Sequence, residues 1–386
     1  MKYRLLLFVL LISYLSACKK GEYIGQVSLY TDSIVASNNL LELNPPMRKG
    51  SVNFRCIVDS ISYLPLFTND SILIANISDV KVLNDTLFIA DYQLGKIFAF
   101  NFKGKCIGTI SAKGEGPEQY KRLCGFDIDA HNHLLYLLDG DLGEVHIYTS
   151  AFDLCDIIKL PYSFVDHISL YQSNKLFLEL GFRDYNPKDK ISPNLILYNL
   201  EEKQVDSTFF HYKHTIDINY RMQDPISFSS YKNSIYYWPP LSHSVYLYDG
   251  IIQKIINCNF GEYELPNEIF LKKNSTALNC MREKKYAYID RFFEFKDWYY
   301  LRISRVNSSA HYFYNKNTQK GFLDVSFLKF KTEKEVIMPD LYAISDTVCC
   351  SYMYPDQYIN LLKEQSINDF MDIEDNPILV FYKLKP

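Results

Sequence analysis

Leu87-Phe-Ile-Ala-Asp91 followed by Lys96-Ile-Phe-Ala-Phe100 is a strand-and-turn pattern that the chain repeats as Leu135-Tyr-Leu-Leu-Asp139 and Glu144-Val-His-Ile-Tyr148. The two aspartates are 48 residues apart, and neighbouring apolar positions keep the same offset. Several short strands within a repeat of roughly 40–50 residues are typical of a β-propeller blade. We therefore predict an all-β propeller built from four-stranded antiparallel blades.

The remaining sequence contains strand patterns for six blades, of which the sixth has only three strands. A separate strand pattern, Ser60–Phe67, precedes the first full blade. We predict that this N-terminal strand completes the last blade by pairing with Pro377–Leu384, because closure by both segments hides two strand edges. The predicted six-bladed β-propeller domain spans residues 53–386.

Several motifs resemble those of known proteins. Ile89-Ala-Asp91, Lys96–Phe100 and Gly114-Glu-Gly-Pro117 are similar to NHL-type repeats. The longer run Lys113–Tyr120 and the closing segment Asp375–Lys385 resemble a family of bacterial six-bladed β-propeller lipoproteins of largely unassigned function. The resemblance implies the fold and implies little about an activity.

The N-terminal residues have the features of a bacterial lipoprotein signal. Lys2 and Arg4 precede the apolar run Leu5–Leu15, which is too short to span a membrane. This run ends in Leu15-Ser-Ala-Cys18, the pattern of a lipobox, in which the cysteine thiol takes the lipid. An ordinary secretory signal with a chance cysteine is the alternative interpretation.

We predict a signal peptide over residues 1–17, lipidation of Cys18 and a tether over residues 18–52 with little periodicity. The lipid would make the membrane a partner and place the protein in the cell envelope. Lys19-Lys-Gly-Glu22 is not an acidic run of the kind that resembles a surface-export signal. Periplasmic and surface display at the outer membrane both stay open.

The composition excludes some partners. The net charge of −4 and the pI of about 6.1 give no basic footprint for nucleic acid. No Cys-x-x-Cys pair or clustered Cys/His spacing suggests zinc, and we expect neither metal nor cofactor. Eight cysteines follow Cys18. An oxidising compartment would allow disulfides, but several of these cysteines lie within strand patterns, so we predict buried free thiols.

The link between the first two blades contains Gly114, Gly116 and Pro117. Glycines can adopt positive φ and proline fixes its own φ, so we interpret this segment as a structural turn near the channel mouth. Contact with a ligand is the alternative. The segment lacks the Gly-Lys-Ser/Thr ending of a phosphate-binding loop.

Asp91 and Asp139 occupy matching positions directly after the second strand of their blades. A repeated aspartate at such a point commonly accepts hydrogen bonds from turn amides, and we predict this structural role for both. A calcium site is the alternative, but a calcium ion needs roughly six to eight oxygen ligands.

The connections between strands are unequal in length at the two ends of the predicted propeller. The first-to-second and third-to-fourth strand turns are short, as at Asn84-Asp85 and Lys103-Gly104. The long connections all fall at the opposite face, which we predict to be the binding face. They include Ser111–Leu123, Gly181–Pro193, His211–Pro225, Gly261–Lys285 and Tyr354–Asn376.

Arginines and a tyrosine in these connections are our candidates for ligand contact, namely Arg122, Arg183, Tyr185 and Arg221, with Arg291 at the entry to the fifth blade. Arginine and tyrosine together suit sugars or anionic groups, through forked hydrogen bonds and ring stacking. Solvated loop charge is the alternative interpretation of the arginines.

We therefore predict a binding or interaction module whose long-loop face takes an unknown small molecule, glycan or protein. A propeller hydrolase or lyase with a site at the channel mouth is the alternative function. The sequence contains no Gly-x-Ser-x-Gly elbow and no His-Glu-x-x-His motif. A site assembled from one residue per blade would leave no linear motif.

Overall fold

The computed structural model describes residues 30–47, 56–181, 191–213, 226–266, 269, 279–280, 283–305, 308–324, 340–364 and 375–386. Six sheets, each containing four antiparallel strands of a blade, surround a central channel formed by the six innermost strands; the four strands are consecutive in the chain in five of these blades. The predicted six-bladed propeller is confirmed. Within the described residues, no helix is both long enough and apolar enough to cross a membrane.

Two strands precede the first blade, namely β1 (Ala36–Leu43) and β2 (Val58–Pro65). The strands of blade one, from the channel outward, are β3 (Asp79–Leu83), β4 (Thr86–Asp91), β5 (Lys96–Asn101) and β6 (Cys106–Ile110). Those of blade two are β7 (Leu123–Asp129), β8 (Leu134–Asp139), β9 (Glu144–Thr149) and β10 (Leu154–Lys159).

Blade three contains β11 (His167–Tyr171), β12 (Lys175–Glu179), β13 (Ile191–Asn199) and β14 (Gln204–Lys213). Blade four contains β15 (Phe228–Tyr231), β16 (Ser234–Tyr237), β17 (Ser244–Tyr248) and β18 (Ile252–Cys258), and a short 3-10 turn, Gly261–Tyr263, follows it. Blade five contains β19 (Tyr288–Glu294), β20 (Trp298–Arg305), β21 (Ser308–Asn315) and β22 (Lys320–Asp324).

Blade six is completed by the N-terminal strand, as predicted. Its inner strands are β23 (Tyr342–Ala343), β24 (Val348–Met353) and β25 (Ile378–Leu384), and β2 is the outermost strand. β2 pairs antiparallel with β25, and Tyr63 lies opposite Val380. Helix α1 (Pro355–Glu364) follows β24, and the Tyr358 ring packs 5.6 Å from the Tyr63 ring. The closing strand therefore supports the helix as well as the sheet.

Part of the predicted tether is packed on the propeller. β1 pairs in parallel with β18, so blade four has a fifth strand, and Leu43 lies opposite Cys258. Residues 30–47, which we call the strap, also reach blade three, where the Thr31 amide donates to the His211 carbonyl at 2.7 Å. The pairing has an irregular register between Ala36 and Leu41, which explains why no alternating pattern marks the strand.

Apolar side chains fill the spaces between neighbouring blades. The Tyr30 ring of the strap packs edge-on to Phe210, with 5.0 Å between centroids, in the cluster shared by blades three and four. Cys124, Cys258, Cys349 and Cys350 are buried free thiols, as predicted, whereas the free thiols of Cys56 and Cys155 are exposed and that of Cys106 is half-buried. The strap therefore connects the outer strands of blades three and four, and the interblade clusters hold neighbouring blades together.

Candidate functional site

The order of strands within each blade determines where the channel opens. Chain entry into the inner strand and the link from the second to the third strand share one face of the ring, which we call the upper face. The short turns between first and second strands lie at the opposite, lower face, as at Asn84 and Asp85. Arg183, Tyr185 and Arg221 belong to upper-face connections and lie outside the described residues.

A cavity occupies the channel where the inner strands of blades one to four begin. Its volume is about 20 Å³, which is room for about one or two water molecules, and it opens to solvent. The wall combines charged, hydroxyl and aromatic side chains. These side chains include Asp79, Lys81, Tyr92, Phe126, His167, Ser169, Ser227 and Ser229.

Charged residues at the channel wall connect blades one, two and three. The Lys81 ammonium on β3 donates to Asp127 Oδ1 on β7 at 2.9 Å. Asp127 Oδ2 accepts from the Leu170 amide on β11 at 2.7 Å and from the Ser169 hydroxyl at 3.3 Å. Lys81 thus has a partner in blade two, and Asp127 has partners in blade three. Both carboxylate oxygens of Asp127 accept hydrogen bonds.

Asp79 lies beside Lys81 on the same strand and is 93% buried, with 7% of its surface exposed. Burial raises its pKa to about 6, although Lys81, Arg291 and the Val80 amide each favour the charged form. The carboxyl is therefore mostly ionised at neutral pH, and its Oδ2 lies 4.0 Å from Lys81 Nζ in the cavity wall.

A buried polar network joins blades three and four next to the cavity. Glu179 is fully buried and contacts His167 Nδ1 at 2.5 Å, the Ser227 hydroxyl at 2.6 Å and the Tyr237 hydroxyl at 2.8 Å. In a Ser-His-acid triad, the serine and the acid use opposite nitrogens of the imidazole ring. Here Ser227 also approaches Nδ1, at 2.9 Å. These residues therefore form an interblade network and not a nucleophilic triad.

We predicted Arg291 as a candidate ligand contact, with a solvated loop charge as the alternative, and the structure shows neither. The side chain is fully buried, donates to the Leu341 carbonyl at 2.9 Å and lies 3.2 Å from Asp340. Its guanidinium also lies 4.7 Å from the centre of the Tyr342 ring. Arg291 thus ties blade five to the start of blade six, where an arginine fork meets a carbonyl, a carboxylate and an aromatic face.

The two repeated aspartates each accept hydrogen bonds from three backbone amides. Asp91 accepts from Ala75, Asn76 and Leu94 at 2.7–3.0 Å. Four residues later, Gly95 has φ +66, a left-handed conformation that glycine adopts without steric cost. Asp91 therefore connects the turn after β4 to the segment around Ala75 and Asn76, which leads into blade one.

Asp139 makes the same contacts in blade two. It accepts from the amides of Lys121, Asp141 and Leu142 at 2.6–3.1 Å. Gly143, the equivalent of Gly95, has φ +63, and a Cβ there would lie 2.0 Å from the Tyr162 carbonyl oxygen. The repeat in the sequence is thus a repeated turn, and no group of metal-ligating side chains occurs among the described residues.

The Gly114–Pro117 segment forms a turn stabilised by its own side chains. The Gly116 amide donates to Gln119 Oε1 at 2.8 Å, and the Tyr120 hydroxyl donates to the Gly95 carbonyl at 2.8 Å. Gly114 and Gly116 do not use the positive φ that glycine allows. A Cβ on Gly114 would instead lie 2.0 Å from Gln119 Oε1. Neither glycine nor Pro117 lines the cavity.

Arg122 lies on the upper face between blades two and three. Its Nε donates to Asp141 at 2.5 Å, and a Cβ on Gly140 would lie 2.5 Å from its Nη2. Its side chain is 31% exposed and does not line the channel cavity. The structure thus places the cavity residues at the inner strands, a position that the loop-based predictions did not identify.

A family model described as "Domain of unknown function (DUF4934)" matches residues 40–383. A solved structure of a Bacteroides fragilis protein described as exported covers 90% of this chain and 100% of its own, with 17% identity and a TM-score of 0.74. A DUF4221 family member from Bacteroides vulgatus covers 85% of this chain and 97% of its own, with 12% identity and a TM-score of 0.55. Among curated proteins, none matches. At these identities the two structures show a shared fold.

Proposed function

Because the chain belongs to the family described as DUF4934, whose function is unknown, we propose a function from geometry: a lipid-anchored, extracytoplasmic propeller that binds a ligand at its upper face. The observation that carries the proposal is the cavity at the upper end of the channel, with Asp79, Lys81 and Ser229 in its wall. A binding site at this point would be reached from the face with the long connections.

Two observations support the extracytoplasmic location. The lipobox pattern Leu15-Ser-Ala-Cys18 follows a short apolar run that begins after two basic residues. The similar structure from Bacteroides fragilis is described as an exported protein. The lipobox pattern supports a mature protein that begins at Cys18, and both observations support a location in the periplasm or at the cell exterior.

The binding interpretation is favoured over a hydrolase or lyase because the described groups lack an activated nucleophile. Ser227 and Glu179 both meet His167 at the same ring nitrogen. Burial raises the pKa of the Cys124 thiol to about 12. A thiol with so high a pKa has little thiolate character at neutral pH.

The test is a thermal-shift screen of the purified protein against pools of neutral, anionic and cationic small molecules and oligosaccharides. Lys81→Met removes the cationic group of the cavity, and Lys103→Ala changes an exposed lower-face turn as its control. We expect stabilisation by a ligand to be lost in Lys81→Met and kept in Lys103→Ala. Hits that need Lys103 but are indifferent to Lys81 would place binding at the lower face and overturn the proposal.

A further inference from the structure

The Lys81 ammonium lies between two carboxylates at the channel wall. It donates to Asp127 Oδ1 at 2.9 Å and lies 4.0 Å from Asp79 Oδ2, which is beyond hydrogen-bond distance. Asp79 and Lys81 are both on β3 of blade one, whereas Asp127 is on β7 of blade two. One ammonium therefore has two acceptors within reach, one in its own blade and one in the next.

Asp127 does not need Lys81 in order to remain hydrogen-bonded. It also accepts from the Ile128 amide at 2.9 Å, the Leu170 amide at 2.7 Å and the Ser169 hydroxyl at 3.3 Å. Two of these three donors belong to blade three. Without Lys81, the carboxylate would therefore keep donors on both oxygens and would still connect blades two and three.

Asp79 is poorly satisfied when it is ionised. Within the part of the chain that the structure describes, its one hydrogen bond comes from the Val80 amide to Oδ1, at 2.8 Å, and Oδ2 accepts none. The residue is only 7% exposed, and burial raises its pKa to about 6. A buried carboxylate oxygen without a donor is costly, so the ionised form favours any donor that can reach it.

The Lys81 side chain can reach Asp79 without rebuilding the wall. It is 30% exposed and lines the small cavity, which opens to solvent. A decrease of the Nζ–Oδ2 distance from 4.0 Å to an ordinary value near 2.9 Å needs a shift of about 1 Å. The ammonium is carried on a flexible four-carbon stem, which makes so small a shift easy.

We propose that Lys81 is a pH-dependent link between blades one and two. With Asp79 protonated, the ammonium stays on Asp127 and joins the two blades. With Asp79 ionised, the ammonium turns to Asp79 Oδ2 and the link is released, while the proton leaves to solvent through the open cavity. Because it needs no ligand, this link is a property of the propeller that is separate from ligand binding.

The other titratable groups around this carboxyl lie on neighbouring elements of the ring, namely Arg291, His167, Tyr92 and Cys350. The arginine is fully buried and is held by the Leu341 carbonyl and by Asp340. The histidine lies 2.5 Å from Glu179. Burial raises the pKa of the tyrosine and of the cysteine, so both are uncharged at neutral pH. These groups keep their places, whereas Lys81 has a second acceptor within reach.

The direct test is a pair of crystal structures of the purified protein, at about pH 5 and about pH 8, on either side of the titration of Asp79. We expect Lys81 Nζ on Asp127 at pH 5 and within about 3 Å of Asp79 Oδ2 at pH 8. In Asp79→Asn the ammonium should stay on Asp127 at both pH values. A water that donates to Asp79 Oδ2 at pH 8, with Lys81 unmoved, would overturn the proposal.

A double-mutant cycle tests the link in solution, with Lys81→Met, Asp127→Asn and the double variant unfolded in urea at about pH 5 and about pH 7.5. We expect the coupling, as a ratio of unfolding constants, to be about two- to tenfold larger at pH 5 and to lose its pH dependence in Asp79→Asn. Lys383 and Asp59, an exposed pair 3.6 Å apart, are the control and should show no such change. Equal coupling at both pH values in the wild-type background would exclude the link.

Discussion

Asn376 and Ile74 are 302 positions apart in the chain, yet the Ile74 amide donates to Asn376 Oδ1 at 2.8 Å. The same side chain donates to the carbonyls of Phe67 and Ile72 at 2.9 and 2.7 Å. Asn376 lies two residues before β25 and is 1% exposed. One amide thus connects the segment before β25 to the segment between β2 and the first blade.

Replacing this residue should weaken ring closure. Asn376→Ala would leave one buried amide and two carbonyls without their side-chain partner, so we expect a loss of about 2–4 kcal/mol in the free energy of unfolding. Urea denaturation monitored by circular dichroism measures the change. Asn317→Ala removes one contact with Asp297 in an exposed turn and should cost less than about 1 kcal/mol. Equal costs for the two variants would contradict the closing role of Asn376.

The repeated aspartates allow a graded test. Asp139→Ala would strand three amides that converge on one buried carboxylate, and we expect a loss of about 2–4 kcal/mol in the free energy of unfolding. Asp139→Asn keeps one carbonyl oxygen and should cost clearly less. Thermal and urea unfolding of the two variants give the comparison. A calcium-dependent stability of the wild type, abolished in both variants, would instead favour a metal at this position.

Stability should fall in mild acid because His311 is buried in its neutral form. Burial, followed by repulsion from Arg302 and Arg291, lowers its pKa to about 3, whereas an unfolded histidine titrates near 6.5. The stabilisation is therefore complete above about pH 6.5 and is lost as the pH falls towards 3. In that window His311 contributes up to about 1.4 kcal/mol per pH unit.

Asp79 acts in the opposite direction. Its folded pKa of about 6 exceeds the ordinary value of 3.8, so its contribution to stability is complete below about pH 3.8 and is lost as the pH rises through 6. Free energies of unfolding measured at several values between pH 4 and 6 should show a smaller slope for His311→Gln and a larger slope for Asp79→Asn than for wild type. Parallel curves for all three proteins would contradict both assignments.

Processing of the N-terminus gives a separate prediction. Cys18→Ala should abolish lipidation, so the protein should move out of the membrane fraction or accumulate with its signal attached. Metabolic labelling with an alkyne fatty acid and fractionation of the cells measure the two effects. Cys56→Ala, a change to an exposed cysteine on the propeller, is the control and should leave both unchanged. A Cys18→Ala variant that is labelled and fractionates like wild type would exclude the lipobox.

The blades were predictable because their signals are local. Leu87–Asp91 and Leu135–Asp139 repeat one apolar run and one turn, and in the structure each is the second strand of its blade and ends in the equivalent aspartate. The outer strand of blade six, β2, was predictable because the sixth blade otherwise had only three strands and Ile378–Leu384 lacked an outer partner. Periodicity of this kind depends only on neighbours in the sequence.

The cavity could not be predicted from the sequence, because its wall combines two to five residues from each of four blades. Lys81 and Asp127 are 46 positions apart, and only the closure of the ring brings them to 2.9 Å. Arg291 was misread for a related reason, since its partner Asp340 comes from the next blade. Loop length pointed to the end of the channel at which the cavity opens, but the cavity groups lie on the inner strands and not in the loops.

The strap also limits how far the propeller can lie from a membrane. Its first described residue, Tyr30, is fixed on Phe210 at the outer strand of blade three. With a lipid on Cys18, the twelve steps from Cys18 to Tyr30 span at most about 40 Å. This attachment point lies at the outer strand of blade three and not at either mouth of the channel, so the tether would join the ring at its circumference. A lipid on Cys18 would therefore keep Tyr30, and with it blade three, within about 40 Å of the bilayer.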